Sequence, residues 1–167
     1  PYTTLFRSKR MTNKIFLYGT LMPGQSRGAS IPYQHVIPTS IVMNAVVRAY
    51  GLFYYAHGNF PIAVVHHQPA LNAMTIKGKL LSIKPERLEE VLEILDEVEG
   101  VSSNLFRRLC VDVLTEKPET LDDAWMYAIH PDLIDRVTQF SGIEGGDWET
   151  FNTKRVLLRE SYLGLDG

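Results

Sequence analysis

One segment of this chain combines a helical period with defined ends. Pro85 fits the first helical position, and Leu88, Val91, Leu92, Leu95 and Val98 recur at the three- and four-residue spacing of a buried face. Gly100 is placed to end that helix as a left-handed cap. The other apolar runs are short and rich in β-branched and aromatic residues. Ile15 to Leu17, Ile62 to His66, Thr75 to Ile83, Leu109 to Leu114 and Ala124 to Ile129 read as strands. Ile41 to Tyr55 reads as two strands or as one strand bent at Gly51, and Gly58, Asn59 and Pro61 mark a turn after it. A weaker helical stretch runs from Pro131 to Phe140, and the residues after Trp148 are too mixed to assign. The pattern is therefore α+β, with many short strands and one principal helix. With 45% apolar and 22% charged residues in 167, the chain can bury a real core and is not disordered. No repeat, low-complexity tract or linker divides it, so residues 11–167 are expected to form a single domain. Residues 1–10 precede a candidate initiator, Met11, and read as an upstream extension or a cloning remnant.

Charge and cysteine content narrow the function classes. Seventeen Lys and Arg against nineteen Asp and Glu leave a net charge of −2, so no bulk positive field exists to hold a nucleic acid or an anionic membrane. Runs such as Ile41 to Val47 fall far short of the ~20 apolar residues of a transmembrane helix. Met11 to Lys14 is polar where a secretory signal would be apolar, and the expected location is cytoplasmic. The single cysteine, Cys110, cannot form an internal disulfide or a cysteine-rich zinc site. It alternates with Leu109 and Val111 in a strand, without a basic neighbour in sequence, and reads as a structural thiol.

The helix carries seven acids, and geometry separates one of them. At about 100° per residue from Leu88, the apolar side chains fall within roughly 80° on one side and 40° on the other. Glu99 falls inside that arc. Glu86, Glu89, Glu90, Glu93, Asp96 and Glu97 lie roughly 80° to 200° away, with Asp96 nearest the boundary. A carboxylate set against a core is costly unless it is paired, hydrogen-bonded or shifted in pKa. Three roles are open to Glu99: solvation at a frayed last turn, a pair with Arg107 or Arg108, or a general acid/base in a half-buried pocket.

Tyr18-Gly19-Thr20-Leu21-Met22-Pro23-Gly24 places a glycine directly after a buried strand, followed by a hydroxyl residue and a turn pair. Backbone amides freed at such a turn can converge on an anion, although an ordinary strand-ending turn with a packed tyrosine has the same pattern. The loop has neither the spacing nor the Lys of a Walker loop, nor the three glycines of a dinucleotide site. Phosphate transfer is therefore disfavoured, and a smaller anion such as a carboxylate stays open beside the ordinary turn.

Together these features resemble the gamma-glutamylcyclotransferase-like family. The motifs that carry the resemblance are Tyr18-Gly19-Thr20-Leu21 with Pro23-Gly24, and Leu95-Asp96-Glu97-Val98-Glu99-Gly100. The likeness extends from about Ile15 to Ile129 through Gly51, the Gly58-Asn59-Phe60-Pro61 turn, Gly78 and Phe106-Arg107-Arg108. It implies a compact mixed β-barrel with flanking helices, and conversion of a γ-glutamyl amide into 5-oxoproline and a free amine without a cofactor. It further implies that Glu99 is the general acid/base and that Tyr18, Gly19, Thr20 and Leu21 bind the glutamyl part. Tyr127 falls where the family tends to have a pocket-lining aromatic; a buried core tyrosine is the alternative. Lys79 follows Gly78 where the family commonly has an acid, and Phe106 stands where a tyrosine is usual. A non-catalytic module binding a small carboxylate or a partner chain is the alternative reading of the whole, and oligomeric state is not legible.

His66 and His67 are adjacent in an expected strand and so point to opposite faces, which prevents chelation of one ion. His35, His57 and His130 lie by Pro or Gly in expected loops and lack HExxH spacing. No metal is expected. The absence of a G-x-S-x-G elbow argues against a serine hydrolase.

Overall fold

Short β-branched runs with alternating burial cannot each bury a face alone, and here they close on one another. In the computed structural model, residues 12–26, 41–48, 50–65, 74–134 and 140–164 are described. Five strands form a closed barrel: β1 (Lys14–Leu17), β2 (Ile41–Arg48), β5 (Thr75–Ser82), β6 (Phe106–Thr115) and β7 (Leu121–Ile129), in the order β1-β5-β2-β6-β7. Neighbours pair antiparallel except at the seam, where β1 meets β7 in parallel with Ile15 opposite Trp125. A second sheet, in the order β4-β3-β8, is built from β3 (Tyr50–Tyr55), β4 (Phe60–Val65) and β8 (Phe140–Gly142). Period-two burial is plain in β6, where Val111, Val113 and Thr115 point inward and Cys110 and Asp112 outward. Phe16, Ile76, Leu80, Val113, Ala124 and Met126 are among the side chains fully buried in the core.

The principal helix forms as its sequence period requires. A 3₁₀ turn at Pro85–Arg87 leads into α1 (Leu88–Val98), and α1 buries Val91, Leu92 and Leu95. Each such side chain contributes about 1.5–3 kcal/mol relative to exposure. Val98 departs from the expected buried face, being 45% exposed. It stands at the edge of the apolar arc and is the last helical residue. Gly100 ends the helix in the left-handed region at φ 64°, and its carbonyl accepts from the amides of Ser103 and Leu105.

Three other boundaries differ from the sequence expectations. The break in Ile41–Tyr55 falls between Arg48 and Tyr50, while Gly51 sits inside β3 opposite Val64. The chain changes sheets there, so sheet membership and not the glycine sets the break. Only Pro131–Ile134 (α2) of the stretch from Pro131 to Phe140 is assigned as helix, and residues 135–139 lie outside the described set. Phe140 instead opens β8 opposite Tyr55, with its ring against Phe53 and Tyr55. The unassigned tail forms α3 (Trp148–Leu163). Asp147 caps it by accepting from the Thr150 amide and hydroxyl, and Trp148, its one fully buried side chain, stacks on Tyr54. Cys110, expected as a structural thiol, is exposed on the outer face of β6. Among the described residues no helix is long and apolar enough to cross a membrane.

A Cβ on Gly100 would meet Leu105 Cδ1 at 2.7 Å, in addition to the strain of positive φ. Gly100→Ala is therefore expected to destabilise the protein by about 1–2 kcal/mol. For a chain of this size that lowers Tm by about 2–8 °C, to be measured by thermal unfolding.

Candidate active site

β1 ends at Leu17, and the next residue begins the turn that shapes a recess at the barrel rim. The Met22 amide donates to the Gly19 carbonyl at 3.0 Å, folding residues 19–22 back on themselves. Gly19 is buried close to β4: a Cβ there would stand 2.6 Å from Pro61 Cγ. Only glycine lets this loop approach that strand without displacing it. Consecutive backbone amides at a turn of this kind are groups that can bind an anion.

Tyr18 holds the loop in place. Its hydroxyl donates to the Tyr127 carbonyl at 2.7 Å and accepts from the Ala63 amide at 3.2 Å, so one buried group joins the end of β1 to β4 and β7. Burial, and then the negative charge of Glu99, push the Tyr18 hydroxyl well above the usual tyrosine range. The charge of Glu99 is therefore felt at the base of the loop.

Glu99 follows the last residue of α1 and is half-buried. Its amide still donates to the Leu95 carbonyl at 2.9 Å, so the helical ladder extends to it before Gly100 turns the chain. It lines a recess of about 390 Å³, counting the part open to solvent, together with Tyr18, Gly19, Thr20, Leu21 and Tyr127. All six residues expected at the site thus border one cavity. Phe16, Leu17, Phe60, Pro61 and Phe106 complete its walls. Larger recesses elsewhere, such as the one lined by Arg48, Tyr50 and Cys110, lack the glycine loop and Glu99.

Other residues take separate places. Arg108 pairs with Asp96 at 3.1 Å and lies over the Trp125 ring at 5.2 Å. Lys79 donates to Asn44 Oδ1 at 2.6 Å, away from the recess. The Tyr127 hydroxyl donates to Asp96 Oδ1 at 2.6 Å. Burial, then that hydrogen bond and the Asp96 charge, raise it far above the ordinary tyrosine value. His35, His66 and His67 lie outside the described residues. The sequence reading did not place Phe16, Leu17 or the Asp96–Tyr127 bond. The recess walls come from different strands, and no spacing along one segment signals their meeting.

The two raised tyrosines give stability a direction with pH. Native Tyr18 and Tyr127 hold their protons where an unfolded chain loses them near pH ~10. Their contribution is fully present below that value and is lost as pH rises through and beyond it. The denaturant midpoint should therefore fall above pH ~10. Tyr18→Phe should lower stability at neutral pH by about 1–3 kcal/mol, by leaving the Tyr127 carbonyl and Ala63 amide unpaired. It should also make the alkaline fall shallower; denaturant unfolding at several pH values measures both.

The profile of the family described as "Gamma-glutamyl cyclotransferase, AIG2-like" matches residues 15–150, which include the loop and Glu99. No curated protein matches by sequence. Among solved structures, the chain is similar to YkqA from Bacillus subtilis (TM-score 0.57, 19% identity, 84% of this chain) and spans 40% of the length of YkqA. It is similar to an AIG2-like protein from Mus musculus (TM-score 0.54, 18% identity, 73% of this chain and 82% of that one). It is also similar to a structure described as a gamma-glutamyl cyclotransferase (TM-score 0.50, 15% identity, 77% of this chain and 68% of that one). At these identities the structural likeness shows the shared fold. The profile match covers most of the chain, and the protein belongs to the AIG2-like gamma-glutamyl cyclotransferase family.

Proposed function

We propose that this protein converts a γ-glutamyl amide into 5-oxoproline and a free amine, with Glu99 as the single general acid/base. One observation carries the reading: Glu99 and the loop residues Gly19, Thr20 and Leu21 border the same recess. Family membership and the likeness to a structure described as a gamma-glutamyl cyclotransferase support it.

The reaction needs few parts. The amides of residues 19–21 hold the substrate α-carboxylate, which places the α-amine beside the γ-carbonyl. The amine nitrogen attacks the γ-carbonyl carbon, a C–N bond forms, and Glu99 accepts the proton that the amine loses. The original amide C–N bond then breaks, and Glu99 returns that proton to the departing amine. Protons balance and no further reactant is consumed. A free α-amine has a pKa of ~7.7–8.0, so the base need only accept its proton during attack. Phe60, Pro61 and Phe106 supply apolar walls that limit water at the reacting carbon.

The test is mass-spectrometric detection of 5-oxoproline after incubation with a panel of γ-glutamyl amino acids and γ-glutamyl amines. The wild type is expected to form it, and Glu99→Gln to lose roughly 10²–10⁴-fold in rate while melting like the wild type. Equal rates in the two proteins would overturn the role of Glu99. Release of glutamate in place of 5-oxoproline would overturn the cyclisation.

A further inference from the structure

The apolar face of α1 meets the barrel through Val91, Leu92 and Leu95. Contacts of that kind are non-directional and leave the roll and slide of a helix loosely specified. A carboxylate at the helix end needs placement to better than an ångström if it is to carry a proton between two nitrogens. In the last turn of α1, Asp96 makes directional contacts to the barrel. Its Oδ1 accepts from the Tyr127 hydroxyl at 2.6 Å, and its Oδ2 pairs with Arg108 Nη1 at 3.1 Å. Tyr127 and Arg108 face each other across the β6–β7 ladder as register partners. Both oxygens of one carboxylate are thus fastened to two adjacent strands of the closed barrel. Asp96 precedes Glu99 by three residues, close to one helical turn, so the two sit on neighbouring parts of the surface. The Tyr127 ring meanwhile forms a wall of the recess that Glu99 borders.

We propose that Asp96 is a positioning residue. Its bond to Tyr127 fixes the final turn of α1 against β7 and thereby sets where the Glu99 carboxylate stands in the recess. The proposal rests on the reading of Glu99 as acid/base for its effect on rate, but its structural half stands independently of activity. The two bonds differ in weight. The Arg108 pair is about 30% exposed on both sides and is screened by solvent. The Tyr127 hydroxyl, on a side chain only 3% exposed, makes the shorter, charge-assisted bond and carries most of the effect.

Tyr127→Phe keeps the ring that walls the recess and removes only the hydroxyl, so it separates positioning from substrate binding. With a γ-glutamyl substrate turned over by the wild type, kcat is expected to fall about 10–100-fold, with KM changed less than about 3-fold. Asp96→Ala should match that loss. Asp96→Asn, which keeps an acceptor oxygen for Tyr127, should recover most of the rate. A second measurement needs no activity: amide hydrogen exchange at Glu99 and Gly100 should quicken in Tyr127→Phe and Asp96→Ala, with barrel-strand protection unchanged. An unchanged kcat, a loss confined to KM, or unaltered exchange at Glu99 and Gly100 would overturn the proposal. Should the wild type make no 5-oxoproline, the cyclotransferase reading fails, and the exchange result alone decides the positioning role. Faster exchange across all barrel strands would mark Asp96 as a general fold contact and equally overturn it.

Discussion

Three strands meet at the rim of this barrel around one buried hydroxyl. Tyr18 donates to the carbonyl of Tyr127 on β7 and accepts from the amide of Ala63 on β4, with no water needed to complete either bond. Leaving any of these groups unpaired in the interior costs more than the bond itself contributes, so the arrangement is defended from both sides. Through β4 it brings the second sheet to the closed barrel. Through β1 it sets the first residue of the loop that lines the recess. The floor of the recess is therefore a consequence of one side chain satisfying two backbone groups from distant parts of the chain.

The opposing wall depends on where a helix stops. Left-handed Gly100 halts α1 immediately after Glu99, and the turn that follows delivers Phe106 to the start of β6. The Leu105 carbonyl accepts from the His130 amide, which ties this turn to the end of β7. Loop and helix end are then held by the same strand: β7 supplies the carbonyl for Tyr18 and the hydroxyl for Asp96, both from Tyr127. One residue of β7 thus links the backbone side of the recess with its acidic side.

Much of this was legible in the amino-acid order because its causes are local. The three- and four-residue spacing of Leu88, Val91, Leu92 and Leu95 defines a helix wherever it is placed, and Gly100 can end it because of its own φ/ψ freedom. The same local geometry singled out Glu99 among seven acids. Strands with alternating burial, such as β6, were also readable. Reading failed where the deciding contact lay far along the chain. Phe140 joined a strand because Phe53 and Tyr55 offered it an edge, against the helical reading of its neighbours. α3 escaped notice because Trp148 is its one fully buried residue, which leaves almost no apolar period to detect.

The sequence by itself determined the fold class, the helix and its end, the Gly19 turn and the acid that departs from the solvated face, since each follows from backbone preferences and side-chain period within a dozen residues. The tertiary structure alone decided that Arg108 pairs with Asp96, and that Tyr127 serves two partners at once. It also decided that Phe60 and Phe106 face the same recess, with rings 6.2 Å apart. Those outcomes depend on strand order and on the closure of β1 against β7, and no local preference encodes which distant strands become neighbours.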